Sequence, residues 1–503
     1  MQDAPVCIEQ LPDSGYLVLC ASWSAAGFDK SENNRDSTGL TSDFWLLRLD
    51  ASGNKVWDKT YGGNGSDRPA ALLLTPGGNF VLAGTSASGI SGEKSDSLRG
   101  VSDFWVLLVD SSGQKLWDKT IGGVQADELT GMILTSDNYL MLSGWTLSGP
   151  GADKTSPTYG DFDFWWVKLD LSSNFLLEMT HGGMLGDNCF SICATNDGGA
   201  LMSGYSNSPV SFSKSQPSQG VYDYWILRID SLGRKIWDKT YGGLADDYAF
   251  SAIEFPGVTR GFLVGGFSFS GVSGHKTEPS RGADDYWLLR LDVNGNLIWD
   301  KSYGGTDFDE LSRIGLSSSG HVVLSGTSYS SISGEKSENN LGPEQSWLVV
   351  SDTANGQMLF DKTFFSAGHD ENAQVIPTMD GCFTSVNFTV SDTGGYRTHF
   401  NNGGGDVWLS KICLLTALES TVTNESTWMA VPNPANRQLL LKCGTKAEWN
   451  LLVFNPGGAC LFKDSFSGSE YNLDVSGFSN GLYFLRLFNE ESWSNNRFVK
   501  VSY

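Results

Sequence analysis

The sequence predicts an all-β protein in two parts, a seven-bladed β-propeller followed by a small C-terminal β-sandwich. The first observation is a repeated Asp-aromatic-Trp triplet, or a degenerate form of it, whose tryptophan returns every 60 to 62 residues, at Trp45, Trp105, Trp165, Trp225, Trp287, Trp347 and Trp408. The second is that short apolar runs alternate with Gly-rich turns in every repeat. The third is the content of 60 Gly, 17 Trp and 28 Phe, which is typical of an ordered, turn-rich β protein.

Each repeat is expected to contribute four strands, as the second repeat shows. Its apolar runs are 70–74, 80–83, 103–110 and 115–120, separated by a tight turn, a long polar loop and a second tight turn. The third run is almost continuously apolar, which is typical of a strand covered on both faces of its sheet. Four such strands per unit, covered by neighbouring units, predict a propeller blade.

The strands occur in unequal numbers. The triplet strand occurs seven times, but the Trp-Asp-Lys-Thr strand that should form the outer edge occurs six times, at Trp57, Trp117, Trp237 and Trp299 and in altered form at 177–180 and 360–363. The last blade is therefore predicted to lack its outer strand. We expect a sealing strand and a signal peptide upstream of Met1, so that the natural protein would have a longer, untruncated N-terminus.

Three charged series recur on the side of the ring that carries the long loops, where a ligand site would be built. An Asp follows each Gly-Gly turn or its equivalent, at Asp3, Asp67, Asp127, Asp187, Asp247, Asp309 and Asp370. A second Asp precedes the aromatic pair, at Asp43, Asp103, Asp163, Asp223, Asp285 and Asp406, with Gln345 breaking the series. A basic residue lies in each loop, at Lys30, Lys94, Lys154, Lys214, Lys276, Lys336 and Arg397. We interpret these series as a scaffold that binds backbone N–H groups and ties loops together, with calcium or ligand binding as the alternative.

A ligand site is predicted where the repeat symmetry breaks, in the third blade. That blade has Trp145, Asp161, a doubled tryptophan that includes Trp166, and His181 in place of a tyrosine. Exposed aromatic rings can stack on sugar rings, and acidic neighbours can bind hydroxyl groups, so these four residues are candidates for glycan binding. The alternative is that the tryptophans belong to the core between blades.

Catalytic and metal motifs are missing from the sequence. The five histidines fall in different repeats without a His-Glu-x-x-His pair, and no Gly-x-Ser-x-Gly segment is present. The eight cysteines do not form a metal-type pair of pairs, and we expect buried free thiols with at most one cross-strand pair such as Cys7 with Cys20. The sequence therefore gives no support for a metal, a cofactor or a catalytic residue.

The net charge of −23 argues against nucleic acid or an anionic membrane surface as a partner, because like charges repel. No apolar run reaches the roughly 18–20 residues that a transmembrane helix requires, so no transmembrane segment is predicted.

The segment Leu-Asp-Ala-Ser-Gly-Asn-Lys-Val-Trp at 49–57 resembles the repeat of quinoprotein-type propellers. Dehydrogenases of that superfamily use a pyrroloquinoline cofactor, calcium and often a vicinal disulfide. No two cysteines are adjacent in this chain, so the resemblance implies the architecture of the blades without the redox site, and no cofactor is expected.

The C-terminal segment contains motifs in a fixed order, at Pro432, Asn433, Pro434, Gly481, Tyr483 and Lys500. With these motifs it resembles the type A C-terminal sorting domain of proteins exported by the bacterial type IX secretion system. A departure is the Asn-Pro-Gly-Gly turn at 455–458, where the family more often has an Asp and a Gly-Lys turn. The resemblance implies passage through the periplasm, recognition by the type IX machinery, and release or attachment at the cell surface.

Taken together, the sequence predicts a propeller at 1–414, a linker at 415–427 and a sorting domain at 428–503. The favoured function is a non-enzymatic binding or structural protein at the cell surface or outside the cell, with a glycan or another surface protein as partner. The alternative is a secreted enzyme that acts on polysaccharide through acidic residues on the loop-rich face.

Overall fold

A computed structural model describes residues 2–255, 260–317, 320–413, 429–431, 436–454, 460–479, 481–489 and 493–500. Every regular element in these ranges is a β-strand, as the sequence predicted. The chain divides into two compact units, Met1–Lys411 and Ile412–Tyr503. In the described residues, no helix exists that could cross a membrane.

The first unit consists of seven antiparallel sheets, which we number 1 to 7 in chain order. Sheets 1 to 6 have four strands each, paired in the order in which they occur in the chain. Sheets 1 to 3 contain β1 (Asp3–Gln10), β2 (Tyr16–Ser22), β3 (Asp43–Leu49) and β4 (Lys55–Tyr61); β5 (Asp67–Leu74), β6 (Phe80–Ser86), β7 (Asp103–Val109) and β8 (Lys115–Ile121); and β9 (Asp127–Leu134), β10 (Tyr139–Thr146), β11 (Asp163–Asp170) and β12 (Phe175–His181).

Sheets 4 to 6 repeat the pattern, and sheet 7 has three strands. These sheets contain β13 (Asp187–Ala194), β14 (Ala200–Ser206), β15 (Asp223–Ile229) and β16 (Lys235–Tyr241); β17 (Asp247–Phe255), β18 (Gly261–Ser268), β19 (Asp285–Leu291) and β20 (Leu297–Tyr303); β21 (Asp309–Leu316), β22 (Val322–Ser328), β23 (Gln345–Ser351) and β24 (Met358–Phe364); and β25 (Asp370–Pro377), β26 (Phe383–Thr389) and β27 (Asp406–Ile412).

The seven sheets follow one another in a closed succession. The first strand of each sheet contacts the first strand of the next, and β25 of sheet 7 contacts β1 of sheet 1. Across that last junction the Ile8 amide donates a hydrogen bond of 2.9 Å to the side chain of Gln374. The first strands therefore surround a common axis, and the long loops lie at the ends where these strands begin.

The Asp-aromatic-Trp triplet forms the core between sheets. The aromatic residue of one triplet packs on the tryptophan of the next, with centroid distances of 5.1 Å for Phe44 and Trp105, 4.8 Å for Phe104 and Trp165, and 4.8 Å for Tyr224 and Trp287. Such ring pairs contribute about 0.5–1.5 kcal/mol each beyond the burial of their area. The repeat period is thus the period of the core contacts.

The outer strand fixes the triplet strand and the long loop through its acidic residue. In sheet 2, Asp118 of β8 accepts hydrogen bonds from the Trp105 indole at 3.1 Å and from the Ser95 amide in the loop at 2.8 Å. The equivalent acid accepts the indole hydrogen bond in all of sheets 1 to 6, at Asp58, Asp118, Glu178, Asp238, Asp300 and Asp361. The buried Lys94 of the long loop donates a hydrogen bond to Thr120 of β8, and its Nζ lies 5.5 Å from the centroid of the Trp105 ring.

Sheet 7 has three strands in the described residues, β25, β26 and β27, and the lack of an outer strand in the last blade stays a prediction. Cys382 and Cys413 are both disulfide-bonded, and we infer that they bond to each other, because Cys382 directly precedes β26 and Cys413 directly follows β27. The expectation of a bond between Cys7 and Cys20 was wrong, because both are buried free thiols. Their strands are paired, but Cys7 lies opposite Leu19 and Cys20 opposite Pro5 across a β-bulge.

The second unit contains a five-stranded antiparallel sheet. Its strands are β28 (Met429–Val431), β29 (Gln438–Phe454), β30 (Cys460–Asp474), β31 (Gly481–Phe488) and β32 (Trp493–Lys500). Its core includes Trp449, Leu451 and Leu485. Pro432, Asn433 and Pro434 lie outside the described residues. Gly481 and Lys500 are directly opposite each other on paired strands, and the hydroxyl of the buried Tyr483 donates to the Ser479 carbonyl.

Candidate functional site

The candidate site is the loop-side end of the axis, which we call the mouth. The second residue of each first strand in sheets 2 to 7 lies at this end of its strand and is less buried than the Asp before it: Arg68, Glu128, Asn188, Tyr248, Glu310 and Glu371. Arg68 and Glu128 form an ion pair between sheets 2 and 3. The remaining side chains divide the mouth into an aromatic part and an acidic part.

The aromatic part is a continuous group of nine rings across sheets 4, 5 and 6, which we call the aromatic arc. Its members are Phe190, Tyr205, Tyr222, Tyr248, Phe250, Phe267, Phe269, Phe308 and Tyr329. Neighbouring centroids are 4.5 Å apart for Phe190 and Phe250 and 6.5 Å apart for Phe269 and Phe308. The side chains of Phe269, Phe308 and Tyr329 are 36–40% exposed, so the arc presents apolar ring surface to solvent.

The acidic part lies beside the arc, in sheets 5 to 7. Burial raises the pKa of Asp284 to about 8, and the nearby Glu310 and Asp309 add to the effect. Burial also raises the pKa of Glu344 to about 7, with Glu371 and Glu310 contributing. Asp284 and Glu344 each have one buried carboxylate oxygen without a hydrogen-bond partner.

Three residues of this part could hold a divalent cation. One donor atom each from Glu344, His369 and Glu371 lies within 4.8 Å of the others, and His369 contacts both carboxylates. A nitrogen and two oxygens are a donor set that suits several divalent metals.

The four residues predicted from the broken symmetry of the third blade are not brought together as one exposed cluster. Trp166 is fully buried, and a Cβ added to Gly233 in the next sheet would lie 2.5 Å from its ring. His181 is buried, burial lowers its pKa, and its Nε2 lies 2.8 Å from the Gly233 carbonyl oxygen. Trp145 is half-buried at the mouth, 5.9 Å from Phe162, and Asp161 is exposed. Ligand binding in this region stays a prediction, and of the four residues only Trp145 and Asp161 have the exposure that it requires.

Sequence reasoning missed the arc, although the repeat contains a signal for it. At the position of Trp145, the other repeats have Ala21, Thr85, Tyr205, Phe267, Thr327 and Phe388. Aromatic residues are therefore concentrated in one run of consecutive repeats and again in the last. Aligning the repeats position by position would have revealed this concentration.

The two Asp series act as a scaffold around the mouth. Asp67 accepts hydrogen bonds from the Gly63 amide and the Ser88 hydroxyl, both at 2.8 Å, and Asp43 accepts from the Arg35 amide at 2.6 Å. Both aspartates keep a buried Oδ1 without a partner. Burial raises the pKa of Asp43 to about 7, with the neighbouring Asp67 charge adding to it. Between sheets 6 and 7, Gln345 occupies the position that Asp43 has between sheets 1 and 2, and Asp370 occupies the position of Asp67. The side-chain amide of Gln345 donates a hydrogen bond of 3.1 Å to Asp370, so the buried carboxylate has a neutral donor as its partner.

Comparisons with known proteins identify the C-terminal part. Residues 430–501 match the secretion system C-terminal sorting domain. This domain directs the protein to secretion or to the cell surface and implies an interaction with the type IX secretion machinery.

The chain has a distant relative. The regulatory protein FlaEY of Caulobacter vibrioides is 22% identical over 410 residues, which cover 76% of this chain and 41% of FlaEY. The chain thus spans less than half the length of that relative.

Similar solved structures include a mutant of the apocarotenoid oxygenase of Synechocystis, with 14% identity, coverage of 60% and 62% of the two chains and a TM-score of 0.33. The cobalt-substituted form of that protein has 15% identity, coverage of 61% and 64% and a TM-score of 0.33. Similarity at this level does not establish a shared fold.

Proposed function

We propose that the repeat region is a seven-bladed propeller of the quinoprotein-like repeat type, that the sorting domain is a β-sandwich, and that the exported protein is a non-enzymatic binding module. Support for the propeller comes from the closed succession of seven sheets and from β1 in contact with β25. Residues 1–414, 415–427 and 428–503 would then be the propeller, the linker and the sorting domain.

The ligand we propose for the mouth is a glycan, and the aromatic arc is the observation that carries this proposal. Flat, partly exposed rings offer apolar faces for sugar rings, and the Tyr248 hydroxyl and Asp246, 3.2 Å apart, offer hydrogen-bonding groups beside them. The acidic part supplies acceptors for further hydroxyls. A negatively charged glycan would be repelled by the chain's net charge of −23, so a neutral glycan is favoured.

A screen of the full chain on a glycan array tests this proposal. We expect binding to neutral glycans, weakened about tenfold by Phe308→Ala or Tyr205→Ala, which corresponds to about 1.4 kcal/mol. Phe175→Ala is the matched control, because Phe175 has a similar exposed fraction, 36% against 40% for Phe308, but lies next to a tight turn on the opposite side of the ring. Equal binding by Phe308→Ala, or no binding to any glycan by folded protein, would contradict the proposal.

The second candidate function is a polysaccharide-acting enzyme. The observation that favours it is that burial raises the pKa of two buried carboxyl groups of the acidic part, Asp284 to about 8 and Glu344 to about 7, which suits a general acid near neutral pH. An enzyme of this kind should produce new reducing ends when the protein is incubated with a polysaccharide that it binds. Asp284→Asn and Glu344→Gln should then abolish the release of reducing ends, and binding measured on the array separates this loss from a loss of affinity.

A further inference from the structure

The junction of sheets 6 and 7 brings three metal-ligating side chains together in the acidic part of the mouth. Glu344 directly precedes β23, and His369 and Glu371 lie on either side of Asp370, the first residue of β25. His369 Nδ1 contacts the Glu344 carboxylate, and His369 Nε2 lies 2.9 Å from a carboxylate oxygen of Glu371. We call Glu344, His369 and Glu371 the junction triad.

The backbone that positions the triad is the same at all seven junctions between sheets, each of which lies within the described residues. The amide of the Asp that opens each first strand donates to the carbonyl of the residue before the triplet strand, at 2.7 Å between Asp67 and Ser42 and at 3.2 Å between Asp370 and Glu344. What differs between junctions is therefore the set of side chains at the three positions of the triad.

These side chains show that the triad is not a requirement of the scaffold. The residues at the three positions of the other junctions are, in chain order, Ser42, Ser66 and Arg68; Ser102, Ala126 and Glu128; Phe162, Gly186 and Asn188; Tyr222, Asp246 and Tyr248; Asp284, Phe308 and Glu310; and, between sheets 7 and 1, Gly405, Gln2 and Ala4. A histidine with two acidic residues occurs at one of these seven described junctions. Closure of the ring therefore does not explain this set of residues.

The two carboxylates of the triad have no permanent positive charge beside them. Among the residues that the structure describes, Glu344 and Glu371 form ion pairs with His369 and with no lysine or arginine. Elsewhere on the loop side, Glu93 has an arginine partner, Arg35, at 2.7 Å. Like charges that are held together without such a partner repel each other, and a bound cation would remove that repulsion.

The Glu344 side chain also has a buried oxygen without a partner. Glu344 is 5% exposed, and its Oε2 accepts no hydrogen bond. An unpaired, buried carboxylate oxygen is costly, so its presence indicates a ligand. The His369 ring meets the Phe388 ring edge-on, with 6.0 Å between centroids, whereas the Glu371 side chain is 54% exposed and free to turn. The triad thus combines a buried acid, a packed ring and a movable acid.

We propose that the junction triad binds one divalent transition-metal ion, with zinc as the favoured ion. The donor atoms of the three residues lie within 4.8 Å of one another, and the exposed Glu371 side chain can turn to complete the set. Zn²⁺ takes both ring nitrogens and carboxylate oxygens, whereas Ca²⁺ takes oxygen ligands. The two carboxylates balance the charge of the ion. Three protein ligands leave a fourth position for water or for a ligand at the mouth.

Isothermal titration calorimetry with Zn²⁺ tests the proposal on the untagged full chain after dialysis against a chelator. We expect one Zn²⁺ per chain at pH 7.5, with affinity that falls at least tenfold at pH 5.5, because protonation of the imidazole competes with the metal. Ca²⁺ in tenfold excess should not displace the ion. Co²⁺ serves as a spectroscopic probe, since bound Co²⁺ with a ring-nitrogen ligand should absorb more strongly in the visible range than the hydrated ion.

Variants locate the ion. His369→Gln should weaken Zn²⁺ binding at least tenfold and abolish the Co²⁺ absorption, whereas His399→Gln, at an exposed histidine of the same sheet, should leave both unchanged. Glu371→Gln, on an exposed side chain, should also weaken binding and serves if His369→Gln does not fold. No binding by the folded chain would show that the triad is an imidazolium between two carboxylates. That result, or binding that His369→Gln and Glu371→Gln both leave intact, would overturn the proposal.

Discussion

At the scale of single residues, the paired aspartates show how charge is managed around the mouth. Burial raises the pKa of Asp163 to about 7 and of Asp103 to about 6, and in each case the aspartate across the junction adds to the shift. Gln345 occupies the equivalent position with a neutral donor. We infer that the two aspartates of each pair share one proton. This proton provides the hydrogen-bond donor between them that the Gln345 amide provides at every pH.

We therefore predict that the protein is more stable at pH 5 than at pH 8. The folded-state pKa values of about 6 to 7 lie above the unfolded value of 3.8, so the stabilisation is complete at low pH and is lost as pH rises through 6 to 7. The loop lysines contribute in a different window, because burial lowers the pKa of Lys30 only to about 8. Urea denaturation at pH 5, 6, 7 and 8 measures the effect.

Asparagine variants provide the control for that measurement. Asp43→Asn and Asp163→Asn should reduce the loss of stability between pH 5 and pH 8, because the amide is a donor at every pH. Asp50→Asn, in an exposed turn, should retain the full dependence. A stability that is constant or rises over this range would show that the pairs are ionised and held in another way.

At the scale of elements, the Cys382–Cys413 disulfide compensates for the outer strand that sheet 7 lacks in the described residues. It closes a loop of about 30 residues that includes β26 and β27, and closure of such a loop stabilises the folded state by about 2–4 kcal/mol. We therefore expect Cys413→Ser to lower the free energy of unfolding by that amount. A reductant should destabilise the unmodified protein similarly but leave Cys413→Ser unaffected, and equal sensitivity of both proteins would contradict this role.

The sequence predicts the elements well because their causes are local and repeated. The triplet strand and the tight turns follow from apolar runs and a 60-residue period. The Cys382–Cys413 pair could not be predicted, because its members are 31 residues apart and their approach depends on the pairing of β26 with β27. Trp166 was misleading for a similar reason: a doubled tryptophan does not show which ring faces the next sheet.

At the scale of the whole molecule, the candidate site depends on neighbours that are distant in sequence. The aromatic arc joins Phe190 to Tyr329 through rings from three sheets, and the acidic part joins Glu344 to His369 and Glu371. Neither set forms a contiguous motif, so only the closed arrangement of sheets brings its members together. Within the mouth, the sequence could indicate only the third repeat, through Trp145 and Asp161.

An experimental structure of the full chain, bound to a glycan identified on the array, would examine the closed ring and its ligand site together. We predict seven sheets around one axis, with β1 beside β25 and the sugar rings stacked on the aromatic arc between Tyr205 and Tyr329. A different number of sheets, an open arrangement in which sheets 1 and 7 are separate, or a glycan bound away from the mouth would contradict this prediction.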